Sequence, residues 1–375
     1  MSHPHSNGHQ TGGSPAGGHP HASTGKDANT LRLVAWETTR RCNLSCKHCR
    51  ALAEDHPYEN ELDTTAAFRL LEQIREVGTP IIILTGGEPL LRDDIFDIAA
   101  YGDSLGLRMV MAPNGTLLTR ENCEKLKSSG IKRISASLDG ATPETHDEFR
   151  GLENAFNRTL KGIEYAKAAG IEFQINTTIT QANLEEIPKI LALAEELGAV
   201  AHHIFLLVPT GRGKYILDSA IDAQQYEQTL NWFYDQQSRT SLQLKATCAP
   251  HYYRILRQRA KQDGKKVTFE THGLDAVTRG CLAGTGFCFI SHVGRVQTCG
   301  FLDVTCGDIT KQTFKDVWEN SAVFNELRNL NNLKGKCGLC EYKGVCGGCR
   351  ARAYEATGSY LEAEPLCSYQ PRKIK

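Results

Sequence analysis

Short apolar runs rich in β-branched residues alternate along the chain with longer stretches of helical periodicity. The short runs predict six strands, at 31–39, 79–87, 107–115, 132–140, 171–180 and 201–209. Stretches in which apolar residues recur every three or four positions predict the helices between them, at about 64–77, 93–105, 119–129, 153–169 and 183–197. Regular alternation of strand and helix indicates right-handed crossovers and a parallel sheet, so we expect an α/β fold.

The chain on either side of this pattern has a different character. Residues 1–29 are rich in His, Gly, Ser and Pro and have too little apolar surface to fold, so we predict a disordered tail there. The alternating pattern then defines a first domain at 30–215. Residues 216–280 look mostly helical and would form a bridge to a cysteine-rich domain at 281–375.

Composition excludes several classes of protein. The chain has 43 basic and 43 acidic residues, so its charge does not indicate a nucleic-acid-binding protein. It contains no apolar run long enough for a membrane span and no apolar signal-peptide core, so we expect a cytoplasmic location. In that compartment disulfides are rare, and the 14 cysteines are better explained as metal ligands.

The first cysteine cluster follows the first predicted strand. Cys42, Cys46 and Cys49 occur within eight residues. In barrels built from parallel strands and helices, ligands bind where the strands end, which is where this cluster lies. Zinc would lack a fourth ligand from this stretch unless His48 supplied it. Three thiolates also fit three corners of an iron–sulfur cluster, whose fourth iron is then open to a reacting molecule. Structural metal sites are closed, so an open position indicates chemistry.

The spacing of these cysteines resembles that of radical S-adenosylmethionine (SAM) enzymes. The resemblance implies a partial (β/α)6 barrel and a 4Fe–4S cluster whose open iron binds SAM. The reduced cluster then cleaves SAM to a 5′-deoxyadenosyl radical, which abstracts a hydrogen atom from the substrate. The stretch "GGEP" is similar to a second motif of the family. The residues that the resemblance implies at SAM are Gly86, Gly87, Glu88, Pro89, His48, Asn114, Ser137 and Asp139.

The C-terminal cysteines resemble the SPASM domain, which accompanies many radical SAM enzymes and holds two auxiliary 4Fe–4S clusters. The resemblance implies a first ligand set of Cys281, Cys288, Cys299 and Cys349. It implies a second set of Cys337, Cys340, Cys346 and Cys367. Cys346 and Cys349 are separated by two residues where the family usually has three, so Cys306 is an alternative ligand. A zinc-ribbon-like tail is the other interpretation of this spacing.

Three stretches extend the resemblance to a heme-forming branch of the family, namely "WETTRRCNLSCKHCRA", "RGCLAGTGFCFISHVGRVQTCGFL" and "CGGCRARAYEATGS". The implied substrate is iron-coproporphyrin III, and the implied reaction oxidatively decarboxylates two of its propionates to vinyl groups. A flavodoxin- or ferredoxin-type protein would supply electrons. Arginine forks suit the substrate carboxylates, and histidine suits its iron. The candidates for the carboxylates are Arg50, Arg212 and Arg254, and the candidates for the iron are His251 or Cys248.

Two alternatives stay open at this point. The first is another radical SAM–SPASM enzyme, either a sister enzyme of the heme pathway or a peptide or cofactor maturase. The second is a scaffold without catalytic activity that holds iron–sulfur clusters or zinc. The scaffold predicts no SAM cleavage, whereas binding of a porphyrin separates the heme-forming enzyme from other members of its family.

Overall fold

Residues 29–372 are described by a computed structural model. The disordered tail predicted at 1–29 lies outside this range except for its last residue. The strands are β1 Leu33–Glu37, β2 Ile81–Thr85, β3 Arg108–Met111, β4 Arg133–Ser137, β5 Glu172–Ile179, β6 Ala201–Leu206, β7 Gln243–Thr247, β8 Phe287–Ile290, β9 Arg295–Cys299 and β10 Leu302–Asp308. All ten belong to one sheet, in the order β10-β9-β8-β1-β2-β3-β4-β5-β6-β7.

Helices separate the parallel strands, and the last four helices follow β10. The helices are α1 Thr64–Val77, α2 Ile95–Ser104, α3 Arg120–Ser128, α4 Pro143–Arg150, α5 Ala155–Ala168, α6 Ile187–Leu197, α7 Ala223–Gln236, α8 His251–Gln262, α9 Phe269–His272, α10 Leu274–Val277, α11 Phe314–Asn320, α12 Ala322–Arg328, α13 Gly335–Leu339 and α14 Arg350–Thr357. Short 3-10 helices lie at Pro89–Leu91, Leu184–Glu186, Gly211–Ser219 and Leu330–Asn332. In the part of the chain described, no helix is long and apolar enough to cross a membrane.

Strands β1 to β6 form the predicted parallel sheet, and helices separate them as expected. Burial alternates along β2 and β4, so that every second side chain packs against the helices and those between are half-buried. The half-buried side chains lie on the opposite, concave face, which stays accessible. The strand ends and this concave face are therefore where the chain can accept a ligand. The predicted α/β fold with a parallel sheet is confirmed.

The segment 216–280 contains one element that the sequence did not predict. Between α7 and α8 the chain forms β7, which pairs in parallel with β6. The sequence of β7, "QLKAT", has a single β-branched residue, so its strand character comes from pairing rather than from local preference. Strand β7 extends the parallel sheet beyond the sixth predicted strand, and the chain that follows β7 begins at the site end of the sheet.

The cysteine-rich segment continues the same sheet on its other side. Strand β8 pairs in parallel with β1, with Phe287 opposite Leu33, and β9 and β10 then follow in antiparallel order. The main hydrophobic core accordingly runs from the helices around β1–β7 to α11 and α12. This continuity positions the C-terminal cysteines next to the strand ends of the barrel.

Candidate active site

The loop after β1 carries the first cysteine cluster. Cys42 and Cys46 are buried and Cys49 is half-buried, and the backbone N–H of Cys42 donates to the carbonyl of Glu54 at 3.0 Å. Burial raises the pKa of Cys42 to about 12, so its thiolate requires a positively charged partner such as a metal centre. Within residues 29–372 no group of three or more Cys, His, Asp or Glu side chains could hold a single metal ion. Three thiols on one loop suit three corners of a four-iron cluster.

The "GGEP" segment after β2 packs directly on the cysteine loop. The N–H of Gly87 donates to the carbonyl of Thr39 at 2.9 Å, and the N–H of Glu88 donates to the carbonyl of Arg41 at 2.8 Å. A Cβ atom would lie 2.4 Å from the Thr39 oxygen at Gly86 and 2.3 Å from the Arg41 oxygen at Gly87. The two glycines are therefore required for the close approach of two backbones, and their contact with SAM stays a prediction.

Glu88 joins the strand ends around this loop. Its side chain is fully buried, Oε2 accepts the Asn114 N–H at 2.6 Å, and Oε1 accepts the Leu90 N–H at 3.0 Å. Burial raises the pKa of Glu88 to about 7, although both hydrogen bonds favour the ionised form. The Asn114 amide then donates to Asn43 Oδ1 at 2.8 Å, inside the cysteine loop. Glu88 and Asn114 thus lie beside the cluster cysteines, while Pro89 begins a 3-10 helix.

A buried arginine connects the cysteine loop to the end of β4. Arg150 Nη1 is 3.6 Å from Cys46 Sγ, and Nη2 forms an ion pair with Asp139. Asp139 Oδ1 also accepts the Thr178 N–H at 2.6 Å. Burial raises the pKa of Asp139, and Arg150 opposes that shift. Sequence reasoning named Asp139 but missed Arg150. Its position, at the last turn of α4 before a glycine, was the available signal.

His48 and Ser137 complete the residues predicted to lie near SAM. The imidazole of His48 stacks on Phe149, with ring centroids 4.5 Å apart and planes 9° apart. Burial lowers the pKa of His48 well below its usual value, so the ring is neutral. Ser137 ends β4 opposite Asn176 and is half-buried on the accessible face of the sheet. The predicted residues are therefore gathered at one edge of the sheet.

Arg50 is the substrate candidate that lies at this edge. Its Nη2 is 3.0 Å from Glu37 Oε2, and its guanidinium carbon lies 4.2 Å from the centre of the Phe289 ring. Glu37 is fully buried, and its Oε1 is 2.6 Å from His292 Nδ1. Burial alone would raise the pKa of Glu37, but Arg50, His292 and Arg40 lower it to about 2. The sequence did not identify Glu37 or His292.

Arg212 has a different set of contacts from the one expected. Its Nε donates to the Cys46 carbonyl at 2.8 Å, and its Nη1 donates to the Ala53 carbonyl at 3.0 Å. Its backbone N–H donates to the Cys49 carbonyl at 2.9 Å. Arg212 therefore fixes the cysteine loop from the segment that follows β6.

The second predicted auxiliary set surrounds one cavity. Cys337, Cys340, Cys346 and Cys367 all line it. Backbone N–H groups of Glu364, Tyr342 and Gly348 donate to the sulfur atoms of the first three, each at 3.4 Å. Such donors stabilise thiolates and tune the potential of a bound cluster. These residues therefore fit a four-iron cluster with complete cysteine ligation.

His251 and Arg254 line the same cavity, although the sequence proposed them for the substrate. Arg254 is buried and forms a two-pronged ion pair with Glu227, with Nη1 2.9 Å from Oε1. Burial lowers the pKa of His251 to about 3, and neither ring nitrogen has a hydrogen-bond partner among the described residues. Both side chains are placed to influence an auxiliary cluster.

The first predicted auxiliary set is only partly assembled. Cys299 and Cys349 pack in one small cluster with Leu302 and Ala351. Burial raises the pKa of both thiols, and Cys281 is close enough to raise it further. Cys288 does not join them. It lies within β8 opposite Val34, fully buried in the main core.

Comparison with known proteins agrees with this architecture. Residues 36–194 match the model of the radical SAM superfamily, and residues 281–350 match the SPASM model, described as an iron–sulfur cluster-binding domain. Two structural relatives are SuiB from Streptococcus suis bound to the precursor peptide SuiA (TM-score 0.70, 19% identity, 91% of this chain and 76% of that chain) and native anSMEcpe with bound AdoMet and Cp18Cys peptide (TM-score 0.66, 20% identity, 90% and 94%). The chain belongs to the radical SAM superfamily and is an enzyme that uses SAM and 4Fe–4S clusters.

Its sequence relatives are more specific. The chain is 52% identical to a protein of Oleidesulfovibrio alaskensis over 99% of its own length and 97% of the relative. It is 55% identical to a protein of Methanosarcina barkeri over 92% of its own length and 98% of the relative. Both relatives bear the name AdoMet-dependent heme synthase. A second protein of M. barkeri, named Fe-coproporphyrin III synthase, is 31% identical over 91% of this chain and 89% of the relative.

Proposed function

We propose that this enzyme makes heme b by oxidatively decarboxylating two propionates of iron-coproporphyrin III to vinyl groups. The observation that carries the proposal is the identity of 52–55% to heme synthases over nearly the whole chain. The open edge of the sheet, with its gathered polar groups and cysteines, is compatible with this chemistry.

Cys42, Cys46 and Cys49 are the proposed ligands of the cluster that binds SAM. Gly86 and Gly87 fix the backbone of their loop, and Arg212 holds the loop from its other side. Arg150 adds a positive charge at Cys46 Sγ, which favours the thiolate over the thiol. We assign the SAM contacts to the edge residues around this loop, namely Glu88, Pro89, His48, Asn114, Ser137 and Asp139.

The substrate would lie on the concave face of the sheet, in reach of Arg50. One side of the Arg50 guanidinium is held by Glu37, and its face is stacked on Phe289. The remaining N–H groups are preorganised to bind a propionate carboxylate in the forked geometry that arginine prefers. Arg212 and Arg254 each commit two guanidinium nitrogens to partners within the protein, so Arg50 is the first choice for this contact.

Each decarboxylation removes one hydrogen atom from the β-carbon of a propionate. Loss of carbon dioxide then forms the vinyl double bond and releases one electron. When bound, the iron–sulfur groups supply the 5′-deoxyadenosyl radical from SAM at the open site and an acceptor for the released electron in the C-terminal segment. Arg50 lies between the SAM site and the C-terminal segment, because it follows Cys49 directly and is also close to Cys299. Burial raises the pKa of Cys299, and the charge of Arg50 lowers it. A flavodoxin- or ferredoxin-type protein would reduce the SAM-site cluster.

The proposal is tested by anaerobic incubation of the reconstituted enzyme with dithionite, SAM and iron-coproporphyrin III. Chromatography with mass detection should show loss of two carboxyl groups in sequence, together with 5′-deoxyadenosine. The Cys46→Ala variant is the control and should form neither product. Cleavage of SAM by the intact enzyme while the porphyrin stays unchanged would refute the proposed substrate.

One alternative has a specific observation in its favour. The 31% identity to Fe-coproporphyrin III synthase points to a sister reaction on a related porphyrin. The higher identity to the heme synthases makes this the second choice. Supplying the porphyrin precursor of that reaction in the same assay distinguishes the two functions.

A further inference from the structure

An isolated cysteine, Cys248, lies directly after β7 in an unusual backbone conformation. Its φ angle is +53°, in the left-handed region that residues other than glycine seldom adopt. The conformation is held through its carbonyl, which accepts Arg352 Nη2 at 2.6 Å and the Tyr226 hydroxyl at 3.3 Å. Such strain persists where the surroundings impose it, and it often marks a functional position.

The surroundings of Cys248 are the remaining thiols of the first auxiliary set. Cys349 belongs to a small buried cluster with Val208 and Leu302, and Cys248 and Cys299 both pack against that cluster. The segment that carries Cys281 also lies against this turn, because a Cβ atom at Gly280 would be 2.7 Å from Pro250.

The pKa of Cys248 agrees with this grouping. Burial raises it well above its usual value, and Cys349, Cys299 and Cys281 raise it further. Arg352 acts in the opposite direction. Of these four thiols Cys349 is buried and the other three are half-buried, and with one arginine beside them they make a coherent setting for a metal centre that carries negative charge.

Cys288 lies on the opposite face of its strand from this group. The neighbouring Phe289 points toward the site, because its ring is 3.0 Å from the Cβ position of Gly300 and stacks with Arg50. Successive side chains of a strand alternate between faces, so Cys288 points away from the site. It is packed in the main core, and the ionisable neighbours that alter its burial-raised pKa are Cys306 and Arg328.

We propose that Cys248 is the fourth ligand of the auxiliary cluster held by Cys281, Cys299 and Cys349, and that Cys288 is a packed core thiol. The ligand thus comes from the end of a barrel strand, outside the cysteine-rich segment. It connects the cluster to β7 and, through Arg352, to the carbonyls of Leu206 and Leu207 at the end of β6. This assignment does not depend on the identity of the substrate.

The test uses the full chain with the SAM-site cluster removed by replacing Cys42, Cys46 and Cys49 with alanine, so that spectra report the auxiliary clusters alone. Cys248→Ala and its matched control Cys288→Ala are each added to this background and reconstituted anaerobically. Iron and sulfide are counted, and electron paramagnetic resonance (EPR) spectra are recorded after stepwise reduction. Cys248→Ala should lose one cluster, or leave it incomplete with an altered spectrum. Cys288→Ala should keep the iron content and spectrum of the background.

A second pair of variants separates ligation from folding. Serine is close in size to cysteine, and its oxygen can ligate iron, so Cys248→Ser should keep iron but shift the spectrum and potential of one auxiliary cluster. In the fraction of Cys288→Ser protein that folds, the spectrum and the potential of both auxiliary clusters should be unchanged. The unchanged signal of the other cluster verifies the fold in each sample. Loss of a cluster in Cys288→Ala with an unaltered spectrum in both Cys248 variants would overturn the assignment.

Discussion

Replacement of Gly87 by alanine should disable the SAM site through sterics alone. The new Cβ atom would lie 2.3 Å from the Arg41 carbonyl oxygen and 2.4 Å from that of Arg40. Contacts of Cβ below 3.0 Å are essentially never seen, so the two backbones must separate by about 0.7 Å. Both obstructing atoms belong to the backbone, so a side-chain rotation cannot relieve the clash. Overpacking of this kind costs roughly 1–3 kcal/mol.

The displaced backbone immediately precedes Cys42, so we expect a loss of cluster loading together with the loss of stability. The assay compares anaerobic chemical unfolding, SAM-site iron and the EPR signal with SAM present. Gly78→Ala is the matched control, because nothing lies within 4 Å of its Cβ position and its φ of 166° is ordinary extended backbone. It should be neutral, or more stable by about 0.4–1 kcal/mol. If Gly87→Ala loads and unfolds like Gly78→Ala, the backbone-packing account of this motif is refuted.

Three further predictions concern buried charges. Arg150→Met should cost roughly 3–5 kcal/mol of unfolding free energy, because it leaves Asp139 buried without its ion pair, and unchanged denaturant midpoints would contradict this. Arg352→Met should cost a similar amount of unfolding free energy, because it leaves the buried carboxylate of Glu364 unpaired. Lys214→Met is the control, since it removes an exposed charge and should cost less than about 1 kcal/mol. Glu37 has a folded pKa of about 2, below its usual 4.5, so it stabilises the protein above pH 4.5 and this contribution, roughly 3 kcal/mol, is lost as the pH falls toward 2. The unfolding free-energy difference between wild type and Glu37→Gln should therefore narrow as the pH falls from about 4.5 toward 2, and a difference that stays constant over that range would show that the pKa is not depressed.

Much of the fold was predictable because its elements have strong local patterns. The six β-rich runs with helices between them specify a parallel sheet almost independently of the rest of the chain. Strand β7 was missed because "QLKAT" has no such pattern and depends on its pairing with β6. The pairing of β8 with β1 joins residues far apart in the chain, which periodicity does not report.

The candidate site divides in the same way. Cysteine spacing predicted the first loop and the second auxiliary set, since those cysteines are mostly close in sequence, and their roles as ligands stay predictions. Spacing alone does not reveal which face of a strand a side chain occupies, so it could not show that Cys288 is packed in the main core while Cys248 packs with Cys299 and Cys349. Charged residues such as Arg150 and Glu37 gain their importance from burial, which depends on tertiary packing.

Abstraction of hydrogen from the propionate β-carbons can be tested directly with iron-coproporphyrin III that carries deuterium at those carbons. The enzyme is supplied anaerobically with SAM and a reductant, and the 5′-deoxyadenosine is analysed by mass spectrometry alongside the porphyrin. The proposed function predicts that deuterium is transferred to 5′-deoxyadenosine. It also predicts that the porphyrin product has two vinyl groups in place of the reacting propionates. The proposed function would be contradicted if the 5′-deoxyadenosine formed from SAM contained no deuterium and the porphyrin kept all its carboxyl groups.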